Sequence, residues 1–283
     1  MTTKCIILDF DGTFTDVARE AEPFVDAFRA AVFDLLGREL PAEWAEQSAR
    51  IAENPGRYGW VHEGRIVAPA NADPYILTTT TAHLMFDAAG VLKDGKTRAA
   101  ILQALYHHAY ENTLTAFRPQ AKEVLESLAA SGIPTFVVTN ARTDAAQKKL
   151  RTLGPVGIEK IEVHGDARKF VVGEAESTDT RFARIPEQIT LPGLERPVYP
   201  RRGRYFDALA AIMQRIGAKP EEVLVCGDIF ELDLSLPLEL GMQVQMVTGP
   251  KPPSAYEIAW LEQFGARASH GDDLRAILKR IGR

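Results

Sequence analysis

Four acids in this sequence stand where chemistry is done. Asp9 and Asp11 close a short apolar run, Lys4 to Leu8. Asp228 follows the apolar run Val223 to Cys226 and Gly227, and Asp233 lies five residues further on. A third run, Ile133 to Val138, ends in Thr139-Asn140. Each run has the length and apolar content of a buried strand. In an open parallel sheet, ligands bind beyond the carboxyl ends of the strands. Three strand ends therefore bring four carboxylates and a hydroxyl to one edge. Like charges this close repel, and a divalent cation removes the conflict. The set offers oxygen donors with no His or Cys beside it, which suits Mg²⁺ far better than Zn²⁺. A cation held there can neutralise and orient a phosphoryl group.

The elements that must position these residues alternate along the second half of the chain. Helices are expected over 119–131, 144–153, 205–216, 232–240, 254–264 and 272–281, and strands over 133–139, 158–164, 223–226 and 243–247. Ser254 followed by Glu257 fits a capping box. Strands alternating with helices imply a parallel sheet covered on both faces. The strand at 4–8 lacks a helix-strand continuation of its own, so it is expected to join the later sheet. Between Thr15 and Thr115 the periodicity is helical, with Glu22 to Leu36 stopping at Gly37, then 41–53, 75–89 and 97–110. The exception is Arg57 to Ala70, read as a loop or small hairpin. The fold class is thus α/β, a Rossmann-like parallel-sheet core with an inserted, mainly α-helical cap domain. Residues 1–16 and 115–283 are assigned to the core and 17–114 to the cap.

These residues carry a resemblance. Asp9-Phe10-Asp11-Gly12-Thr13 is similar to the first motif, DxDGT, of the haloacid dehalogenase-like hydrolase superfamily. Thr139-Asn140 resembles its second motif, and Gly227-Asp228 with Asp233 its fourth, GDxxxxD. The helical insertion directly after the first motif resembles the family's cap. The resemblance implies a Mg²⁺-dependent phosphatase. Asp9 would attack phosphorus and carry an aspartyl-phosphate. Asp11 would protonate the leaving oxygen and then deprotonate the attacking water. Asp9 and Asp228 would hold Mg²⁺ by their side chains and Asp11 by its backbone carbonyl, with Asp233 assisting behind them. Thr139 and the Asn140 amide would donate to phosphoryl oxygens. The family also places a Lys or Arg before the Gly-Asp strand. Arg202, in Arg201-Arg202-Gly203-Arg204, is preferred for that role, and Lys169 is its rival. Dehalogenases lack the second acid, so Asp11 favours phosphoryl transfer. A sugar phosphomutase on the same core, or a non-catalytic protein-binding member, is the alternative. A phosphonate hydrolase would need a cap lysine, and Lys93 and Lys96 lie beside Gly95 in an apparent loop.

The bulk properties agree with that frame. The 283 residues suggest about two domains, and Lys+Arg 33 against Asp+Glu 38 gives a net charge of −5. This balance disfavours nucleic acid and anionic membrane as partners. No apolar run nears the ~18 residues of a membrane span. With acids at positions 9 and 11, a signal peptide is not expected, and with only two cysteines neither is a disulfide framework. The expected setting is cytoplasmic, and the expected ligand a small phosphorylated metabolite. Arg57, Tyr58, Trp60, His62 and Arg65 are candidates for contact with it, or equally members of a surface hairpin. Gly165 to Pro200 is a long link that reads as an extra hairpin, a reach to the active site or a homodimer contact.

Overall fold

The computed structural model describes residues 2–249 and 254–282. The chain forms two compact units, one of Met1–Asp16 with Phe117–Arg283, the other of Val17–Ala116.

The first unit is built on a sheet. Its strands are β1 (Cys5–Leu8), β4 (Thr135–Val138), β5 (Ile161–His164), β6 (Val223–Gly227), β7 (Gln243–Val247) and β8 (Ala268–Gly271). Among the described residues they make one six-stranded sheet in the order β5-β4-β1-β6-β7-β8, every pair parallel. β1 is central, paired with β4 on one side and β6 on the other. The strand order reverses across β1, which opens a crevice at its carboxyl end.

The central strands are buried at every position and almost wholly apolar because both faces are covered. Alternate side chains divide between two cores. Cys5, Ile7, Val223 and Val225 join one cluster with Tyr205, Phe206 and Leu209 of α7 (Gly203–Ile216). Ile6, Leu8, Leu224 and Cys226 join the other with Val124, Leu125 and Leu128 of α5 (Ala121–Ala129). Helix α6 (Thr143–Leu153) adds Leu150 to that second cluster. The remaining helices of the unit are α8 (Ser235–Glu239), α9 (Ala255–Glu262) and α10 (Ala276–Arg280).

One expectation is corrected here, and two stretches without a firm expectation are resolved. The stretch 232–240 is not one helix: a wide five-residue turn, Phe230–Leu234, precedes the short α8, which contains Pro237. Strand β8 went unread because Ala268-Ser-His-Gly lacks the β-branched residues that mark a strand. Residues 165–200 form irregular but packed chain. Phe182, Ile185, Ile189, Leu191, Leu194 and Val198 are buried in the α7-side cluster. A bridge between Ile189 and Val198 and another between Gly173 and Arg202 fix its path.

The second unit comprises α1 (Val17–Leu36), α2 (Pro41–Ala52), α3 (Pro74–Ala89) and α4 (Gly95–Tyr110), with a hairpin of β2 (Gly59–His62) and β3 (Arg65–Pro69). Phe24, Phe28, Val32, Phe33, Trp44, Met85 and Phe86 form its core. Asp73 caps α3 by accepting the Tyr75 and Ile76 N–H groups, and Asp94 caps α4 through Thr97. Helix α1 starts at Val17, five residues before the periodicity indicates, and runs through Pro23. The residue stretch read as a loop or hairpin is the antiparallel pair β2–β3, with an irregularity between Trp60 and Val61.

Candidate active site

The site forms where β1 stops. The Asp9 N–H donates to the Cys226 carbonyl of β6 at 2.8 Å, which continues the ladder by one rung. The chain then turns, pinned by two wholly buried rings, Phe10 and Phe14. Gly12 has φ +83°, a conformation that costs an L side chain about 1–2 kcal/mol. A Cβ there would also lie 2.2 Å from Asp228 Oδ2. The glycine thus lets the first turn close on the loop after β6. Thr13 Oγ1 lies 3.2 Å from Asp9 Oδ2 and 3.1 Å from Asp228 Oδ1, sharing its proton between the two strand ends.

Asp233 arrives from the wide turn after β6. Its Oδ2 accepts the Ile229 N–H at 3.0 Å and its Oδ1 accepts Lys169 Nζ at 2.8 Å. Gly227 allows this approach, since a Cβ there would meet the Asp233 side chain at 2.4 Å.

Lys169, not Arg202, faces the acids. Its ammonium donates to Asp9 Oδ1 at 2.7 Å and to Asp233 Oδ1, and its side chain is 1% exposed. The preference for Arg202 drawn from the sequence is therefore corrected. Arg202 is wholly buried, but its guanidinium turns to backbone: Nε donates to Tyr199 O, Nη1 to Lys169 O and Nη2 to Glu231 O. Burial lowers its pKa to about 10, partly offset by Glu231. Asn140 likewise holds Lys169, accepting its N–H through Oδ1 at 2.7 Å. Arg202 and Asn140 thus grip the two sides of the Lys169 backbone. The preceding residues Asp166 and Arg168 have positive φ, 53° and 46°. That bend lets a residue just past β5 turn back under β1.

The charge balance of this pocket decides what it can hold. Asp9, Asp228 and Asp233 offer carboxylate oxygens that lie within 4.8 Å of one another. Lys169 supplies an ammonium to two of them, Asp9 and Asp233. Arg118 is in electrostatic range of Asp228, but also of Asp16 and Asp272, and its Nη2 donates to Thr248 O. Burial pushes Asp9 up to about 7 against the pull of Lys169, with Asp233 and Asp11 adding to the rise. Burial alone would lower Lys169, but Asp233 and Asp9 outweigh it and keep the ammonium charged. Clustered carboxylates that offer only oxygen donors fit a hard divalent cation.

Asp11 points elsewhere. Its Oδ1 accepts Lys149 Nζ of α6 at 2.7 Å, and its Oδ2 lies 3.5 Å from Thr139 Oγ1. Thr139 Oγ1 also accepts the Ala141 N–H at 3.1 Å, which orients the start of that loop. The structure thus gathers Asp9, Asp11, Asp228, Asp233, Thr139 and Lys169, with Asn140 and Arg202 behind Lys169. Lys149 and Arg118 escape a sequence reading, because neither is adjacent to a motif.

The chain from residue 3 to residue 236 matches the family model described as haloacid dehalogenase-like hydrolase. Among curated proteins none matches this sequence. Among solved structures, a Haemophilus somnus protein described as a predicted phosphoglycolate phosphatase is 17% identical, covering 99% of this chain and 98% of that one, with TM-score 0.56. A Bacillus subtilis HAD-hydrolase solved with magnesium bound is 14% identical over the whole of both chains, with TM-score 0.56. A Thermotoga maritima protein assigned as a beta-phosphoglucomutase is 15% identical over 99% and 100%, with TM-score 0.53. At these identities the likeness is one of fold. No helix among the described residues is long and apolar enough to cross a membrane.

Proposed function

The chain belongs to the haloacid dehalogenase-like hydrolase family, and from that premise we propose that it is a Mg²⁺-dependent phosphohydrolase acting on a small phosphorylated metabolite. The observation that carries this reading is the pocket itself: Asp9 held between Lys169 and Thr13, with a second acid, Asp11, two residues on and outside the cation group.

Asp9 is the nucleophile in this reading. Its Oδ2 or Oδ1 forms a bond to phosphorus as the ester P–O bond breaks, and the electron pair leaves on the ester oxygen. Asp11, as the acid, gives that oxygen a proton. In the second half-reaction the Asp11 carboxylate takes a proton from water, the water oxygen bonds to phosphorus, and Asp9 is released. Asp9 and Asp228 are the side chains that would hold Mg²⁺. When bound, the cation neutralises charge on the transferring phosphoryl group. Both oxygens of Asp233 are engaged, by Lys169 and the Ile229 N–H, so its part is to fix Lys169. Lys169 and the Thr139 hydroxyl stabilise the phosphoryl oxygens, which is where such a reaction needs most help.

The test is phosphate release from a panel of phosphate monoesters, with Mg²⁺ and with chelator, in the absence of any bisphosphate activator. Turnover that needs Mg²⁺ is expected, and Asp9→Asn should abolish it. An Asp9→Asn protein with near wild-type turnover would refute the assignment.

A further inference from the structure

The family motifs leave Lys149 without a role, yet it makes the closest polar contact that Asp11 has among the described residues. Lys149 lies in the second turn of α6, between Ala146 and Leu150, both buried, which fix the helix against the core. Its ammonium crosses to Asp11 Oδ1 at 2.7 Å. The two side chains are 22% and 32% exposed, in contrast to the buried Asp9–Lys169–Asp233 group. A pair this exposed adds little to stability. The pair links residues far apart in the chain, and it fixes the one carboxylate of the site that lies outside the cation group. It also divides the labour of that carboxylate. Oδ1 is held by Lys149, while Oδ2 remains on the Thr139 side, where a phosphoryl group would stand.

We infer that Lys149 is a positioning residue for the proton transfer, holding Asp11 so that Oδ2 delivers the proton to the leaving oxygen. This rests on the phosphohydrolase reading. With Lys149 removed, Asp11 keeps its chemistry but loses its fixed rotamer, so only steps that need its proton should suffer. In the first half-reaction the Asp11 O–H proton passes to the ester oxygen as the P–O bond breaks towards it. A nitrophenolate leaves without that proton, whereas a more basic phenolate depends on it.

The experiment compares 4-nitrophenyl phosphate with unsubstituted phenyl phosphate, two esters of similar size, by kcat/KM in saturating Mg²⁺. That quantity reports the step in which the leaving group departs. Lys149→Met should lose about tenfold or more with phenyl phosphate and at most twofold to threefold with 4-nitrophenyl phosphate, a fraction of the ~10²–10⁴ that general acid catalysis can supply. Asp11→Asn should show the same selectivity more strongly, and Lys149→Arg should recover most of the phenyl phosphate rate. An equal loss on both esters, or a rise in KM alone, would mean that Lys149 binds substrate or supports the fold, and would overturn the proposal. If Asp11→Asn is selective and Lys149→Met is not, the positioning role fails while the phosphohydrolase reading stands. A wild-type protein that releases phosphate neither from these two esters nor from any other monoester of the panel overturns both.

Discussion

Lys169→Met isolates the electrostatics of the pocket from its packing. Methionine is unbranched and close to lysine in length, so it keeps the stem that lies against the Tyr205 ring, where Lys169 Nζ is 5.3 Å from the centroid. What it removes is the cation between Asp9 Oδ1 at 2.7 Å and Asp233 Oδ1 at 2.8 Å, at a side chain 1% exposed. Breaking a buried ion pair from one side costs about 3–5 kcal/mol, because the remaining charge is left uncompensated. The acids can avoid part of that cost by taking up a proton, so the loss must depend on pH. In the intact protein Asp9 already titrates at about 7, against an ordinary value of 3.8. A carboxyl raised in the folded state binds more protons folded than unfolded, so stability falls as pH rises through that window. Wild type stops losing stability from this source near pH 7. The variant, with Asp9 raised further, goes on losing about 1.4 kcal/mol per pH unit. The deficit in metal-free protein should therefore be about 2 kcal/mol larger at pH 8.5 than at pH 6, reaching about 3–5 kcal/mol. Urea unfolding in chelator at the two pH values, at fixed ionic strength, measures it. A deficit below about 1 kcal/mol at pH 8.5, or one equal at both pH values, would refute the reasoning.

The cation site gives a second pH prediction: Mg²⁺ affinity, read as a rise in Tm, should increase as pH climbs from 5.5 to 7 and then level, because the proton on Asp9 must leave first. Asp228→Asn should remove that Tm shift. Gly12→Ala should weaken Mg²⁺ binding in a metal titration and cut kcat/KM by roughly 10²-fold or more, since its Cβ would collide with Asp228 Oδ2. Arg202→Met should cost about 3 kcal/mol or more in urea unfolding, because it removes the buried guanidinium that donates to the Tyr199, Lys169 and Glu231 carbonyls.

The fold was legible where the chain obeys one period. The strands at 5–8, 135–138, 223–227 and 243–247 are buried at every position and mostly apolar because they are covered on both faces. The edge strand β8 carries Ser269 and His270, a composition set by partial exposure, and so gave no such signal. The stretch 165–200 was illegible for another reason. Its buried Ile185, Ile189, Leu191 and Val198 have no common period because irregular chain, held by two isolated bridges, buries them one by one.

The site divides in the same way. Asp9, Asp11, Asp228 and Asp233 could be found because each lies within a few residues of a strand end, and the sheet converts strand ends into one place. Cations are not bound by that rule, since a lysine side chain reaches its partner from several ångströms away. Lys169 reaches Asp9 from a loop five residues past β5, and Lys149 reaches Asp11 from inside a helix. Arg202 misleads because it stands where the family's basic residue precedes the Gly-Asp strand, and a place in that pattern does not decide which way a guanidinium turns. Its guanidinium instead ties three carbonyls that set the backbone of Lys169 and of the turn bearing Asp233. Planar donors in a fixed fork suit that task, and a compact ammonium suits a site proposed to take a small cation and a phosphoryl group as well. The net charge of −5 is consistent with this economy. An anionic substrate needs only the few positive charges that the fold brings to the end of β1, and one of those, Lys149, is drawn from outside the motifs.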